Sequence, residues 1–191
     1  MFVLKKNYFL IIENIKDIEL SNIKLSNKFI IIYRNRNKLN NFNQLLKFRK
    51  QCRAKKIKFY ISNNVKLMKS LDADGLYISA YNDNFRLSSL RCSKYKLIGS
   101  AHNTKELNLK VAQGCSQFIY SRLFKVNNPL KKGFMGVVKF NLFKLSRKEN
   151  LVPLGGINLT NLNKMKMVKS SSFALFSEVK KKPVKIFNRL F

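Results

Sequence analysis

Apolar positions along the chain follow two rhythms. Short runs of apolar, β-branched or aromatic residues recur at Tyr8 to Ile12, Phe29 to Tyr33, Lys58 to Ile61, Gly75 to Ile78, Lys96 to Ile98, Gln117 to Tyr120, Leu151 to Leu154 and Phe173 to Phe176. They predict eight strands. The stretches between them are amphipathic. Phe42, Leu45, Leu46 and Cys52 share one helical face, and Leu159, Leu162, Met165 and Val168 recur at three-residue steps, so both segments are expected to be helices. Asn103 followed by Glu106 reads as a capping box opening a helix to Ala112, with Gly114 as its stop. The polar stretch from Lys125 to Gly133 is a loop of functional length.

Strands that read as continuous apolar runs, separated by helices, belong to a parallel sheet covered on its faces. Eight such units predict an α/β (β/α)8 TIM barrel filling one domain over residues 1–191, with a doubly wound open sheet as the alternative. A chain of 191 residues is short for that barrel, usually about 200 residues or more, so the first crossover, Glu13 to Lys28, must be abbreviated.

Composition adds less than its numbers promise. The 39 Lys and Arg against 9 Asp and Glu give a net charge of +30, which makes nucleic acid or an anionic surface the first partners to consider. Fourteen basic residues fall between Glu19 and Asp72, yet they alternate with apolar ones at helical spacing, as in Leu45 to Lys50, the pattern of a solvated helix face. The excess of Lys, Asn, Ile and Phe points to a compositional drift of the whole chain, and nucleic acid is not the expected partner. The longest apolar runs hold five residues, against the roughly 20 of a membrane-spanning helix, so no membrane association is expected. Lys5 and Lys6 precede an apolar stretch that Glu13 cuts too short for a signal peptide. Cys52, Cys92 and Cys115 form no C-x-x-C pair and read as reduced thiols of a cytoplasmic protein.

In such barrels chemistry sits at the C-terminal ends of the strands. The residues that follow the runs are Arg34 and Arg36, then Ser62, Asn63 and Asn64, then Ser79, Asn82 and Asp83, then Ser100 and His102, then Ser121 and Arg122, then Gly155 and Gly156, and lastly Ser177. Backbone N–H groups at Gly155 and Gly156 can approach a ligand closely, and the loops after strands seven and eight are the usual phosphate site, so a phosphate monoester is the implied ligand. The one histidine, His102, lies just past a strand end, and imidazole suits proton transfer near neutral pH. Arg34 and Arg36 would point to opposite faces, so only one need enter the mouth.

These residues carry a family resemblance. The strings Tyr33-Arg34-Asn35-Arg36, Ile61-Ser62-Asn63-Asn64, Ala73 to Ile78, Gly99-Ser100-Ala101-His102-Asn103, Gln113-Gly114-Cys115, Phe124, Lys131-Lys132-Gly133, Val152 to Asn158 and Ala174 to Ser177 resemble the thiamine phosphate synthase and TenI superfamily in order and spacing, from about Phe29 onward. The resemblance implies a TIM barrel that acts on a small thiazole phosphate in thiamine biosynthesis. It implies substrate binding by Arg34, Arg36, Asn63, Ser100, Lys131, Lys132, Gly155, Gly156 and Ser177. The synthase joins hydroxymethylpyrimidine diphosphate to thiazole phosphate and uses magnesium to hold the departing diphosphate. Where the family pattern has two aspartates this chain has Asn64 and Asn82, with Asp83 adjacent. Magnesium is usually held by carboxylates and phosphates, so two amides weaken that site; no cofactor is expected unless synthase activity survives, in which case magnesium is required. The Thr-x-Thr-Lys of the family after the sixth strand is replaced near Val126 to Pro129, and the usual Gly before the last strand is replaced within Ser170 to Ser172. In the tautomerase members the corresponding histidine is the general acid/base. The first expectation is therefore a TenI-like thiazole tautomerase, a homodimer being possible. The second is a divergent synthase, and the third a non-catalytic phosphate-ligand or RNA-binding barrel.

Overall fold

The computed structural model describes residues 5–24, 26–34, 41–126, 133–177 and 179. Eight strands form one parallel sheet: β1 (Asn7–Ile12), β2 (Phe29–Tyr33), β3 (Lys58–Ser62), β4 (Gly75–Ile78), β5 (Lys96–Ala101), β6 (Gln117–Ser121), β7 (Leu151–Leu154) and β8 (Ser172–Leu175). Consecutive strands pair in order from β1 to β7, and β8 pairs back onto β1, so the sheet is ordered β7-β6-β5-β4-β3-β2-β1-β8. β7 lies beside β8, bringing the two edges together in a nearly closed (β/α)8 barrel. The open sheet is thereby excluded.

Alternation along the strands sorts the apolar residues into two cores. Phe9, Ile11, Ile30, Ile32, Tyr60, Tyr77, Ile98, Ile119, Val152 and Ala174 fill the interior. Their neighbours in sequence, such as Tyr8, Leu10, Phe29, Ile31, Phe59, Leu97 and Phe118, face the outer layer. Each strand is buried on both faces, which is why it reads as an unbroken apolar run.

The outer layer holds α1 (Phe42–Ala54), α2 (Val65–Ser70), α3 (Thr104–Ala112) and α4 (Gly136–Leu145). The first crossover is indeed abbreviated: three 3-10 turns, Ile15–Asp17, Leu20–Asn22 and Ser26–Lys28, replace a helix. Two details correct the sequence reading. Phe42 at the start of α1 is exposed, whereas Phe48 and Arg49 join Leu45 and Cys52 on the buried face. The segment expected as a helix through Leu162 and Met165 is a 3-10 helix, Leu162–Met167. Its apolar residues recur every three positions, and three residues is one turn of that helix.

Two of the buried cations, Lys5 and Arg49, tie outer segments to the barrel. Lys5 Nζ donates to the carbonyls of Val168 at 2.9 Å and Ser170 at 2.8 Å, stapling the start of β1 to the lead-in of β8. Arg49 reaches from α1 to pair with Asp74 at 2.9 Å, and Asp74 accepts the Phe59 N–H at 2.8 Å. Cys52, Cys92 and Cys115 are free thiols, and burial pushes Cys52 and Cys115 up to about 12. Among the described residues no helix is long and apolar enough to cross a membrane.

Candidate active site at the barrel mouth

All eight strands run in one direction, so their C-terminal ends share one rim. On that rim the exits of β3 and β4 form a closed polar network. Asn63, at φ 56°, donates its side-chain amide to Ser79 Oγ at 2.9 Å, and its Oδ1 accepts from Ser79 N–H at 3.0 Å and from the Asn82 amide at 3.1 Å. Asn82 Oδ1 accepts from Asn84 N–H at 3.0 Å. Asn64 caps α2, its Oδ1 accepting from Leu67 N–H at 2.9 Å. The amide oxygens of all three residues are thereby engaged by one another's amide or by backbone N–H groups. Asp83 is exposed.

Beneath that loop, Lys110 of α3 is fully buried. Its ammonium donates to the Asn82 carbonyl and, at 2.9 Å, to Gln113 Oε1, while Gln113 Nε2 donates to the Asn82 carbonyl at 2.9 Å. Burial lowers the Lys110 pKa. Gly99 is explained by this lysine, because a Cβ there would lie 2.7 Å from Lys110 Cβ. The glycine of the Gly99-to-Asn103 motif therefore makes room for α3.

The exit of β5 is organised differently. His102 immediately precedes Asn103, the N-cap of α3, and the capping residue Glu106 reaches back to it. Glu106 Oε2 accepts the His102 N–H at 2.7 Å and lies 2.9 Å from the ring nitrogen Nδ1, while Oε1 accepts from the Asn103 amide at 3.0 Å. Burial raises the Glu106 carboxyl, but its bonds to His102 and Asn103 outweigh that and hold it below the ordinary value. The Tyr81 ring lies 5.9 Å from the His102 ring, tilted by 31°. His102 Nε2 has no partner among the described residues. Ser100, one alternation below His102 on β5, is buried.

Gly155 and Gly156 follow β7 at φ 99° and 69°. A Cβ on Gly156 would lie 2.5 Å from the carbonyl oxygens of both Phe124 and Lys125, so the pair lets the β7 exit pack against the β6 exit. Phe124 N–H donates to the Gly155 carbonyl at 2.9 Å, and the Asn161 amide donates to the Gly156 carbonyl at 2.7 Å. The carbonyls are engaged, while neither glycine N–H donates to any group among the described residues. Ser177 is exposed just past β8. Arg34 follows β2 and lays its guanidinium 5.8 Å from the centre of the Phe176 ring, across the rim from β5. Arg36, Lys131 and Lys132 lie outside the described residues.

The profile described as thiamine monophosphate synthase matches residues 13–179. The chain belongs to that family. Among curated relatives, a thiamine-phosphate synthase of Pelagibacter ubique is 28% identical over 176 residues, covering 87% of this chain and 84% of the relative. One from Helicobacter pylori is 28% identical over 124 residues, 63% of this chain and 57% of the relative. Among solved structures, the thiamine phosphate pyrophosphorylase of Pyrococcus furiosus superposes with a TM-score of 0.75 at 17% identity, covering 98% and 94% of the two chains. The 3-hexulose-6-phosphate synthase of Salmonella typhimurium superposes at 0.70 with 10% identity, covering 96% of each. At those identities the two structures speak for the barrel alone.

Membership in the thiamine monophosphate synthase family places the chain in thiamine biosynthesis. The donor set at the β3 and β4 exits does not fit a resident magnesium ion. Asn64 and Asn82 supply neutral amides already engaged in a helix cap and loop bonds, where magnesium calls for a carboxylate. Glu106 is the site residue that sequence reasoning left as a helix cap. The available signal was its place in the first turn of α3, from which a carboxylate reaches back to the residues at and before the cap.

Proposed function

We propose that the barrel mouth binds a thiazole phosphate and that His102 moves a proton on its ring, making the chain a TenI-type thiazole tautomerase. The observation that carries this reading is the His102 ring, about one-third exposed at the rim, with Nδ1 held and Nε2 open. The unengaged N–H groups of Gly155 and Gly156 supply donors for the phosphate, and Ser177 at the adjacent β8 exit and Arg34 at the β2 exit supply a hydroxyl and charge. Ser100 is a buried hydroxyl on β5 below His102, and Asn63, its amide engaged by Ser79 and Asn82, shapes the neighbouring exit rather than offering a free donor. Lys131 and Lys132 remain candidates for the same phosphate.

The chemistry asked of the protein is small. One proton leaves the substrate for Nε2, and Nε2 returns one to another atom of the same heterocycle, so substrate and product differ only in proton position. No metal is required, which suits the amide-rich exits of β3 and β4.

The test is isomerisation of thiazole carboxylate phosphate followed by proton NMR, with His102→Ala as the control. Loss of isomerisation in the variant supports the reading, and a wild-type rate overturns it. The second reading, coupling to hydroxymethylpyrimidine diphosphate with release of diphosphate, is favoured by the relative from Pelagibacter ubique, named a synthase and matched over 87% of this chain. Thiamine phosphate formed from the two substrates only with magnesium would establish that activity. Binding of the thiazole without turnover in either assay is what a non-catalytic barrel would give.

A further inference from the structure

The capping geometry of α3 has a chemical by-product. A capping-box glutamate ordinarily reaches back to the backbone N–H of its own cap residue. Here Glu106 Oε2 accepts one residue earlier, from His102 N–H at 2.7 Å, and the same oxygen lies 2.9 Å from the imidazole Nδ1. The other oxygen takes the Asn103 amide at 3.0 Å, and Asn103 Oδ1 in turn accepts the Glu106 N–H at 2.9 Å. The carboxylate is thus fixed by two donors other than the ring before it meets the ring. A fixed carboxylate is an acceptor only, so a neutral ring placed against it must carry its hydrogen on Nδ1. That leaves the lone pair on Nε2, the nitrogen with no partner among the described residues. The exposed Tyr81 ring lies 5.9 Å from the imidazole.

We infer that Glu106 is the positioning residue of this site: it selects the Nδ1–H tautomer of His102 and aims Nε2 at the substrate. The inference rests on the reading of His102 as general acid/base. When Nε2 takes a proton from the heterocycle the ring becomes an imidazolium beside an ionised carboxylate. When Nε2 gives a proton back the neutral Nδ1–H form returns. Glu106 takes no proton at either stage, and the number of protons on enzyme and substrate together is constant.

The chain offers a clean measurement, because it contains a single histidine. Long-range ¹H–¹⁵N correlation of the wild-type protein above neutral pH reports the tautomer of one ring. The expected result is Nδ1–H. Glu106→Gln keeps a side-chain oxygen that can serve the helix cap, yet removes the charge, and is expected to shift the ring toward Nε2–H. The same variant should lower kcat about 10- to 100-fold with KM changed less than about twofold, since the lost contact acts on the reacting form of the ring. Glu106→Asp, which retains charge but shortens the reach, should fall between. An Nε2–H ring in the wild type overturns the inference without any variant. If His102→Ala abolishes isomerisation while Glu106→Gln leaves both kcat and the tautomer unchanged, the positioning role fails and the reading of His102 stands. If His102→Ala isomerises at the wild-type rate, that reading fails, and the tautomer measurement still decides whether Glu106 sets the ring.

Discussion

The two sides of the barrel mouth use polar residues in opposite ways. At the exits of β3 and β4, Asn63, Ser79 and Asn82 bond one another and loop backbone, and Asn64 commits its amide oxygen to the α2 cap. At the exits of β5 and β7, His102 Nε2 and the N–H groups of Gly155 and Gly156 stay unengaged among the described residues, although the atoms next to them are firmly held. One side is a finished structure; the other is a set of fixed groups with open valences. A polar strand exit is therefore weak evidence for chemistry until its partners are counted, because a satisfied amide has little left for a ligand.

The largest effect should come from His102→Ala. It removes the proton carrier and is expected to slow isomerisation by about 10²- to 10⁴-fold while the unfolding midpoint barely moves, as measured by kinetics and denaturation side by side. Gly156→Ala should break the open side structurally. At φ 69°, with two carbonyl oxygens 2.5 Å from the added carbon, it should cost about 2–4 kcal/mol in urea unfolding and weaken binding of thiazole phosphate.

On the closed side effects should be smaller and purely structural. Asn64→Ala removes the cap of α2 and should cost about 1 kcal/mol with kcat unchanged, whereas Asn64→Asp should keep the cap. A change in kcat larger than the change in stability would place Asn64 in the chemistry and collapse the contrast.

The smallest effect is a pH dependence. The Glu106 carboxyl is held below its ordinary value in the folded protein, so it contributes stability above the unfolded value, near 4.5, and loses it as pH falls through the lower folded value. Denaturation midpoints of the wild type should therefore drop more steeply below pH 4.5 than those of Glu106→Gln. Asp72, held down to about 2 by hydrogen bonds from Lys94 and Arg53, would fade lower still and is exposed enough for salt to mute it.

Much of this architecture was readable in the chain. Eight apolar runs became eight strands because each strand is buried on both faces, and the tightness of the first crossover followed from length. The N-cap at Asn103 and the stop at Gly114 stand where local backbone chemistry puts them, whereas the reciprocal half of the expected capping box does not close, because Glu106 takes the N–H of His102 and not that of Asn103. Arg34 and His102 were legible as rim residues because a parallel barrel collects all strand ends on one face.

The sequence by itself determined the barrel, its family and the rim on which His102 sits, because periodicity, capping and strand order are written in short-range spacing. Only the tertiary structure decided which rim atoms are spent. Whether Asn82 meets Asn63, whether the buried ammonium of Lys110 fastens the Asn82 loop, and whether the β6 exit closes on Gly156 depend on contacts between residues 19, 28 and about 30 positions apart, made by elements that the barrel sets side by side. It likewise made Glu106, beyond its place in the first turn of α3, a partner of the imidazole, with Oε2 2.9 Å from Nδ1.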